Sequence, residues 1–320
     1  MKFLEFTVLG TFAQLVLADE SKLNAQRLQS FADRVNQAHK EGTLQRESFP
    51  LDKPRKTLPV LDSELREYII HSAFSYCTPE KVRSKECFCP GKLEAASLIT
   101  NKTMDTQALV AADPKNKLIV VSYRGTATKK NRETNMIDDL VNYPGISGIK
   151  VYHGHLLDLL SLQTSSEAAA LCLLKDPKYQ GYQLHITGFS VGGSVSAIST
   201  PMWISFLKRN NLKNKMRLFL YSNPRPGNPA FAKYLEATSI PIVRYTRKGD
   251  VVPHMPEQAE GYAQVWAEFF LSNPSSDTQI IKRCANNLLE DPQCSLGDSD
   301  LNAKDHLIPF GRPNPPLSTC

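Results

Sequence analysis

The sequence predicts an α/β domain with a mostly parallel central sheet covered by helices on both faces. Two observations carry this. β-branched and aromatic runs recur along the chain, as KLIVVSYRG (117–125), YQLHITGF (182–189), MRLFLYSN (216–223), IPIVRYT (240–246) and QVWAEFFL (264–271). Helical stretches near 155–174, 190–209 and 228–237 fall between them, the last opening with Asn228 as a cap and Pro229 in the first turn. Neither an internal repeat nor a low-complexity tract interrupts the alternation.

The segments before that domain differ in character. Lys2 is followed by the apolar stretch FLEFTVLGTFAQLVLA ending at Ala18, a pattern that predicts a secretory signal peptide over residues 1–18. Residues 19–57 are polar and carry Leu28, Phe31, Val35 and Ala38 at helical spacing. They finish in FPLDKPRKTLP, where prolines end any helix and Arg55-Lys56 offers a processing protease a basic site. This reads as a propeptide, leaving 58–320 as a single domain.

Composition narrows the function classes. The chain has 320 residues, 41% hydrophobic and 22% charged, which is ordinary for a globular protein. The net charge of +6 is spread among 32 acidic residues with no nucleic-acid-binding signature, so no nucleic-acid partner is expected, and at most a weak attraction to anionic surfaces. Seven cysteines in a secreted chain imply disulfides with one thiol left over. Cys172, within AAALCLLK, is expected to be that thiol, buried on an apolar helix face. No paired zinc-type spacing of Cys and His occurs, so neither metal nor cofactor is expected. Asn101-Lys102-Thr103 is a usable glycosylation sequon.

Gly188-Phe189-Ser190-Val191-Gly192 carries the chemistry. A nucleophilic serine on a strand-to-helix turn needs glycines two residues away on either side, because side chains there would collide. This pentapeptide follows a predicted strand and opens a predicted helix, whose free N–H groups favour a developing negative charge. Ser190 is therefore the candidate nucleophile. Of the histidines, only His254 and His306 follow it in the chain. His306, in a loop beyond the last strand, is the better base. Asp250 lies just past a strand end after Gly249, where a carboxylate can orient the imidazole; Asp298, Asp300 and Asp305 are its rivals. Val191 supplies one backbone N–H to the oxyanion, and Thr126, at the end of the strand in VVSYRGTAT, supplies the second donor through its N–H and its hydroxyl.

With these residues in place the chain resembles the fungal class 3 lipase family, especially its secreted, propeptide-bearing members. The motifs SYRGT (122–126), TGFSVGG (187–193), NPRPGNPAFAKYL (223–235), GDVVPHMP (249–256) and DHLIPFG (305–311) carry the resemblance, in family order, from about Leu61 to Cys320. The resemblance implies an α/β-hydrolase-like sheet with a helical lid, ester hydrolysis without a cofactor, and the same triad of Ser190, Asp250 and His306. It also implies the disulfides Cys77–Cys320, Cys284–Cys294 and Cys87–Cys89, the last strained by its C-x-C spacing. Phe189 and Val191 depart from the histidine and leucine usual in the family.

The lid is expected in ATKKNRETNMIDDLVNYPG (127–145), where Met136, Ile137, Leu140 and Val141 sit at helical spacing. An amphipathic helix of this kind covers an apolar pocket in water and rolls onto a lipid surface. The expectation is a secreted, monomeric triacylglycerol lipase that touches acylglycerol transiently at a lipid–water interface. A feruloyl-type esterase or phospholipase A1 on the same scaffold is the alternative, and a catalytically silent lipid-binding module is the rival from outside enzymology.

Overall fold

A computed structural model describes residues 21–44, 46–53, 59–78, 93–276 and 279–310. The predicted signal peptide, the basic processing site at Arg55-Lys56, and Cys87, Cys89 and Cys320 lie outside those residues. The runs rich in β-branched residues form strands because side chains pack both sheet faces. β3 (Leu118–Tyr123), β6 (Gln183–Phe189), β7 (Met216–Tyr221), β8 (Ile242–Arg247) and β9 (Glu268–Leu271) pair in parallel. Antiparallel β1 (Glu94–Asn101), β2 (Thr106–Asp113) and β10 (Ile281–Arg283) complete the order β1-β2-β3-β6-β7-β8-β9-β10.

The period of two along each strand divides the core. Val121, Ile186, Leu218 and Ile242 pack with Leu159 of α4 (His153–Lys175) and Ile198 and Trp203 of α5 (Val191–Arg209). Val120, Phe219 and Val243 point the other way, against Leu65, Tyr68 and Ile69 of α2 (Asp62–Phe74). The parallel strands are buried on both faces, as crossover helices require. α6 (Pro229–Ala237) begins as expected, with the Asn228 side chain accepting the Phe231 N–H at 2.9 Å.

Three departures have physical causes. Strands β1 and β2 are absent from the sequence reading because alanines 95, 96, 108, 111 and 112 carry little strand propensity; burial between elements makes β2 a strand. Cys172 is a free thiol, as expected, but it is exposed rather than buried; the apolar neighbours Leu173 and Leu174 take the inward side of α4. The expected lid helix is shorter and lies earlier. α3 (Lys129–Asn135) starts at Thr128, whose hydroxyl accepts the Asn131 N–H, and ends before Met136 and Ile137. Leu140 and Val141 belong to a strand, β4 (Leu140–Asn142), paired with β5 (Lys150–Tyr152). Tyr143, buried and donating to the Ile198 carbonyl, anchors this hairpin and overrides the helical spacing. Gly154 fixes the end of α3, since a Cβ there would lie 2.0 Å from the Thr134 carbonyl oxygen.

The remaining predicted helix is present as α1 (Ser21–Lys40). Its Phe31, Ala32 and Val35 pack against Val251, Val252 and Leu301. Cys284 and Cys294 are joined, while Cys77 is disulfide-bonded to a cysteine outside the described residues. Among the described residues no helix is long and apolar enough to cross a membrane.

Candidate active site

β6 ends at Phe189 and α5 begins at Val191, so Ser190 alone makes the turn. Its φ of 59° and ψ of −133° are a strained conformation for a residue with a side chain. The surroundings impose it: the Ser190 N–H donates to the Tyr221 carbonyl at 2.9 Å, and the Gly193 N–H donates to the Ser190 carbonyl at 2.9 Å. A Cβ on Gly188 would fall 2.2 Å from the Gly192 carbonyl carbon, and one on Gly192 would fall 2.1 Å from the Tyr123 oxygen. Both glycines are steric necessities.

His306, in a turn of 3-10 helix at Asp305–Leu307, brings Nε2 to 2.8 Å from Ser190 Oγ. Its Nδ1 lies 3.0 Å and 3.2 Å from the two carboxylate oxygens of Asp250. Both side chains are buried, and Asp250 Oδ1 also accepts the Val252 N–H at 3.0 Å. The carboxylate is thus fixed by backbone before it meets the imidazole.

The rival residues hold this arrangement in place. Asp298 Oδ2 accepts the Gly249 N–H at 2.6 Å. Asp305 is paired with Arg247 at 2.9 Å and accepts from the Asn302 amide at 2.7 Å. Gly249 has φ +86°, and a Cβ there would meet Asp305 Oδ2 at 2.0 Å. Asp300 is exposed. His254 is buried, its imidazole held well below the ordinary value by burial and by the Arg225, Arg46 and Arg244 guanidiniums, and it makes no hydrogen bond to Ser190.

The two expected oxyanion donors flank the serine. Val191 is the first residue of α5, where an amide has no partner within its helix. Thr126 follows Gly125, whose N–H donates to Tyr76 Oη at 3.0 Å, and Thr126 Oγ1 accepts from the Asn135 amide at 2.9 Å. Neither Tyr76 nor Asn135 stands out in the sequence: Tyr76 meets Gly125 across 49 residues, and Asn135 reaches back to Thr126 only through the turn of α3. Ser190, His306, Thr126 and Val191 open onto a cavity of about 430 Å³, roofed by Leu28 and Phe31 of α1 and by Met136 at the end of α3.

The family described as "Lipase (class 3)" matches residues 120–260, the span from β3 past Asp250. A lipase of Rhizomucor miehei is 31% identical over 256 residues, covering 78% of this chain and 68% of that protein. The chain belongs to the class 3 lipase family. A solved complex of the Rhizomucor miehei lipase with its propeptide superposes with a TM-score of 0.66 at 27% identity, covering 83% of this chain and 85% of that one. A triacylglycerol lipase whose catalytic centre is formed by a serine protease triad matches with a TM-score of 0.65 at 28% identity, over 79% of this chain and 96% of that one. This lipase-family chain is a serine carboxylester hydrolase of α/β-hydrolase fold.

In this class 3 lipase chain a metal-like grouping also occurs away from the serine. Glu268, Cys284 and Cys294 lie within reach of one another. The two sulfurs are bonded together and Glu268 is paired with Arg244 at 3.0 Å, so the group is structural.

Proposed function

We propose that the protein is a triacylglycerol lipase, exported as a precursor, that cleaves acylglycerol at a lipid–water interface. The observation that carries this reading is the hydrogen-bonded series Ser190–His306–Asp250 opening on a largely apolar cavity. Ser190 Oγ attacks the ester carbonyl while His306 Nε2 takes its proton; Asp250 holds the Nδ1–H and stabilises the imidazolium. The Val191 N–H and Thr126 donors receive the oxyanion, an interaction whose loss costs on the order of 3 kcal/mol per donor. His306 then protonates the leaving alcohol, and water activated by the same imidazole releases the acid from the acyl-serine.

α1 covers the cavity in the manner of an intramolecular blocking segment. Leu28 and Phe31 line it from the α1 side, and the Arg27 guanidinium donates to Met136 Sδ at 2.6 Å. Asn36 brackets Leu301 through two hydrogen bonds of 2.9 Å, and Gln29 accepts the Ala303 N–H at 3.2 Å, so α1 grips the loop that carries His306. This supports reading residues 19–57 as a propeptide and 58–320 as the enzyme. The exposed Met136 and Ile137 at the end of α3 support a lid that meets lipid once α1 has left.

Hydrolysis of emulsified long-chain triacylglycerol, compared with methyl ferulate, tests the substrate class. Turnover of ferulate alone would replace the lipase reading by the feruloyl esterase one. Loss of all hydrolysis in Ser190→Ala is expected; unchanged hydrolysis removes Ser190 as nucleophile. The first residue of the active secreted protein is expected near Thr57, and an active form beginning at Asp19 would contradict the propeptide.

A further inference from the structure

A polar side chain in the cavity wall has no part in the chemistry above. His155, near the start of α4, is 1% exposed and lines the same cavity as Ser190. Its ring lies flat on Tyr152, with centroids 3.7 Å apart and an interplanar angle of 12°. Burial holds its imidazole down to about 3, so it is uncharged near neutral pH.

The tautomer follows from its partner. Nδ1 lies 2.8 Å from Oγ of Ser194, which is fully buried in α5. A buried hydroxyl must place its proton on an acceptor, and Nδ1 is the one within reach. Ser194 therefore donates to Nδ1, and Nε2 carries the ring proton. That N–H has no protein partner among the described residues. It belongs to the wall of the cavity onto which Ser190 opens, where an oxygen of a bound substrate can accept it.

Position indicates which part of the substrate that is. Ser194 lies four residues beyond Ser190, about 6 Å along the helix axis. The leaving alcohol has to lie beside His306, which protonates it. His155 is tied instead to the flank of Thr126, since its stacking partner Tyr152 donates to the Asn135 carbonyl at 2.7 Å and Asn135 donates to Thr126. The acyl chain is the part left to pass His155.

Resting on the reading of Ser190 as nucleophile, we propose that His155 is a specificity-determining residue whose free Nε2–H selects esters bearing an oxygen substituent, hydroxyl or keto, early in the acyl chain. A single uncharged donor favours such an oxygen over a second carboxylate. It also disfavours a plain hydrocarbon chain, which would leave the N–H unpaired.

The test uses matched p-nitrophenyl esters, octanoate and its oxo-octanoates with the ketone moved stepwise along the chain, on enzyme that is active toward plain octanoate. One oxo isomer is expected to exceed octanoate in kcat/KM by about tenfold. His155→Phe should remove or invert that preference, and His155→Gln, which retains an N–H donor, should keep part of it. Each preference is a ratio within one protein sample, so a partly folded variant does not disturb it. Equal ratios in wild type and His155→Phe, or no preferred oxo isomer in wild type, would overturn the proposal with Ser190 still in place. Full hydrolysis of every ester by Ser190→Ala would overturn the nucleophile and this proposal together, and is recognisable as such.

Discussion

Phe189 lies against the imidazole of His306, with ring centroids 4.8 Å apart and an interplanar angle of 19°. The residue before Ser190 is thereby a wall for the proposed base. Phe189 is buried, so its ring has nowhere else to go, and it keeps His306 between Ser190 and Asp250. A stacked pair of this kind is worth about 0.5–1.5 kcal/mol beyond its buried area. Phe189→Ala is expected to lower kcat by roughly 2- to 13-fold with little change in KM, because binding is intact while the base wanders. Steady-state kinetics on a soluble ester reads this directly; a rise in KM at constant kcat would place Phe189 in substrate binding instead.

Phe31 gives a test of α1 that does not depend on finding the cleavage site. It lines the cavity and shares a buried cluster with Val252. Burying such a ring stabilises by about 2–3 kcal/mol, so Phe31→Asp should weaken the closed arrangement by on the order of 30- to 150-fold. The uncleaved variant is expected to hydrolyse soluble esters faster than the uncleaved wild type, and processed forms of the two should be indistinguishable. Equal activity of the uncleaved proteins would mean that α1 does not limit access.

Asp158 makes stability depend on pH. Burial lifts its carboxyl to about 7 despite a hydrogen bond of 3.1 Å from the Asn131 amide. An aspartate in the unfolded chain titrates near 3.9, at roughly the ordinary value. Between about pH 4 and pH 7 the folded protein therefore keeps a proton that the unfolded chain has released, and stability falls as pH rises. The loss approaches a ceiling of about 4 kcal/mol above pH 7. Asp158→Asn retains an acceptor for Asn131 and cannot ionise. It is expected to match wild type near pH 4 and to exceed it at pH 8 in urea denaturation. Parallel pH profiles for the two proteins would contradict this.

The parts of the molecule that sequence reveals are those governed by local constraint. Gly188 and Gly192 announce the turn because no other residue fits within 2.2 Å of facing backbone, and Asp250 and His306 follow it in the order that strand ends present them. What stays hidden depends on distant partners. Tyr76 meets Gly125 across 49 residues, and Asn36 meets Leu301 across 265, so neither shows in any window of sequence. The spacing of Met136, Ile137, Leu140 and Val141 is truly helical, yet Tyr143 and Gly154 commit the segment to a hairpin. Periodicity states a preference, and burial of an anchor decides.

Thr126 and Asn135 supply the most direct test of the proposed oxyanion donors. The Asn135 amide gives a proton to Thr126 Oγ1, which occupies one lone pair and leaves the hydroxyl proton free to point at a substrate oxygen. Asn135 is itself held by Tyr152, which donates to its carbonyl at 2.7 Å. Thr126→Val preserves shape and backbone N–H while deleting the hydroxyl, and is expected to lower kcat by on the order of 10²- to 10³-fold. Asn135→Leu removes only the orienting amide and should cost about tenfold, the worth of one neutral hydrogen bond. Because the two residues act as a unit, the double variant should be no worse than Thr126→Val alone. Additive losses would show that Asn135 acts on the reaction by another route, and an unaffected Thr126→Val would leave the backbone N–H groups as the whole oxyanion site.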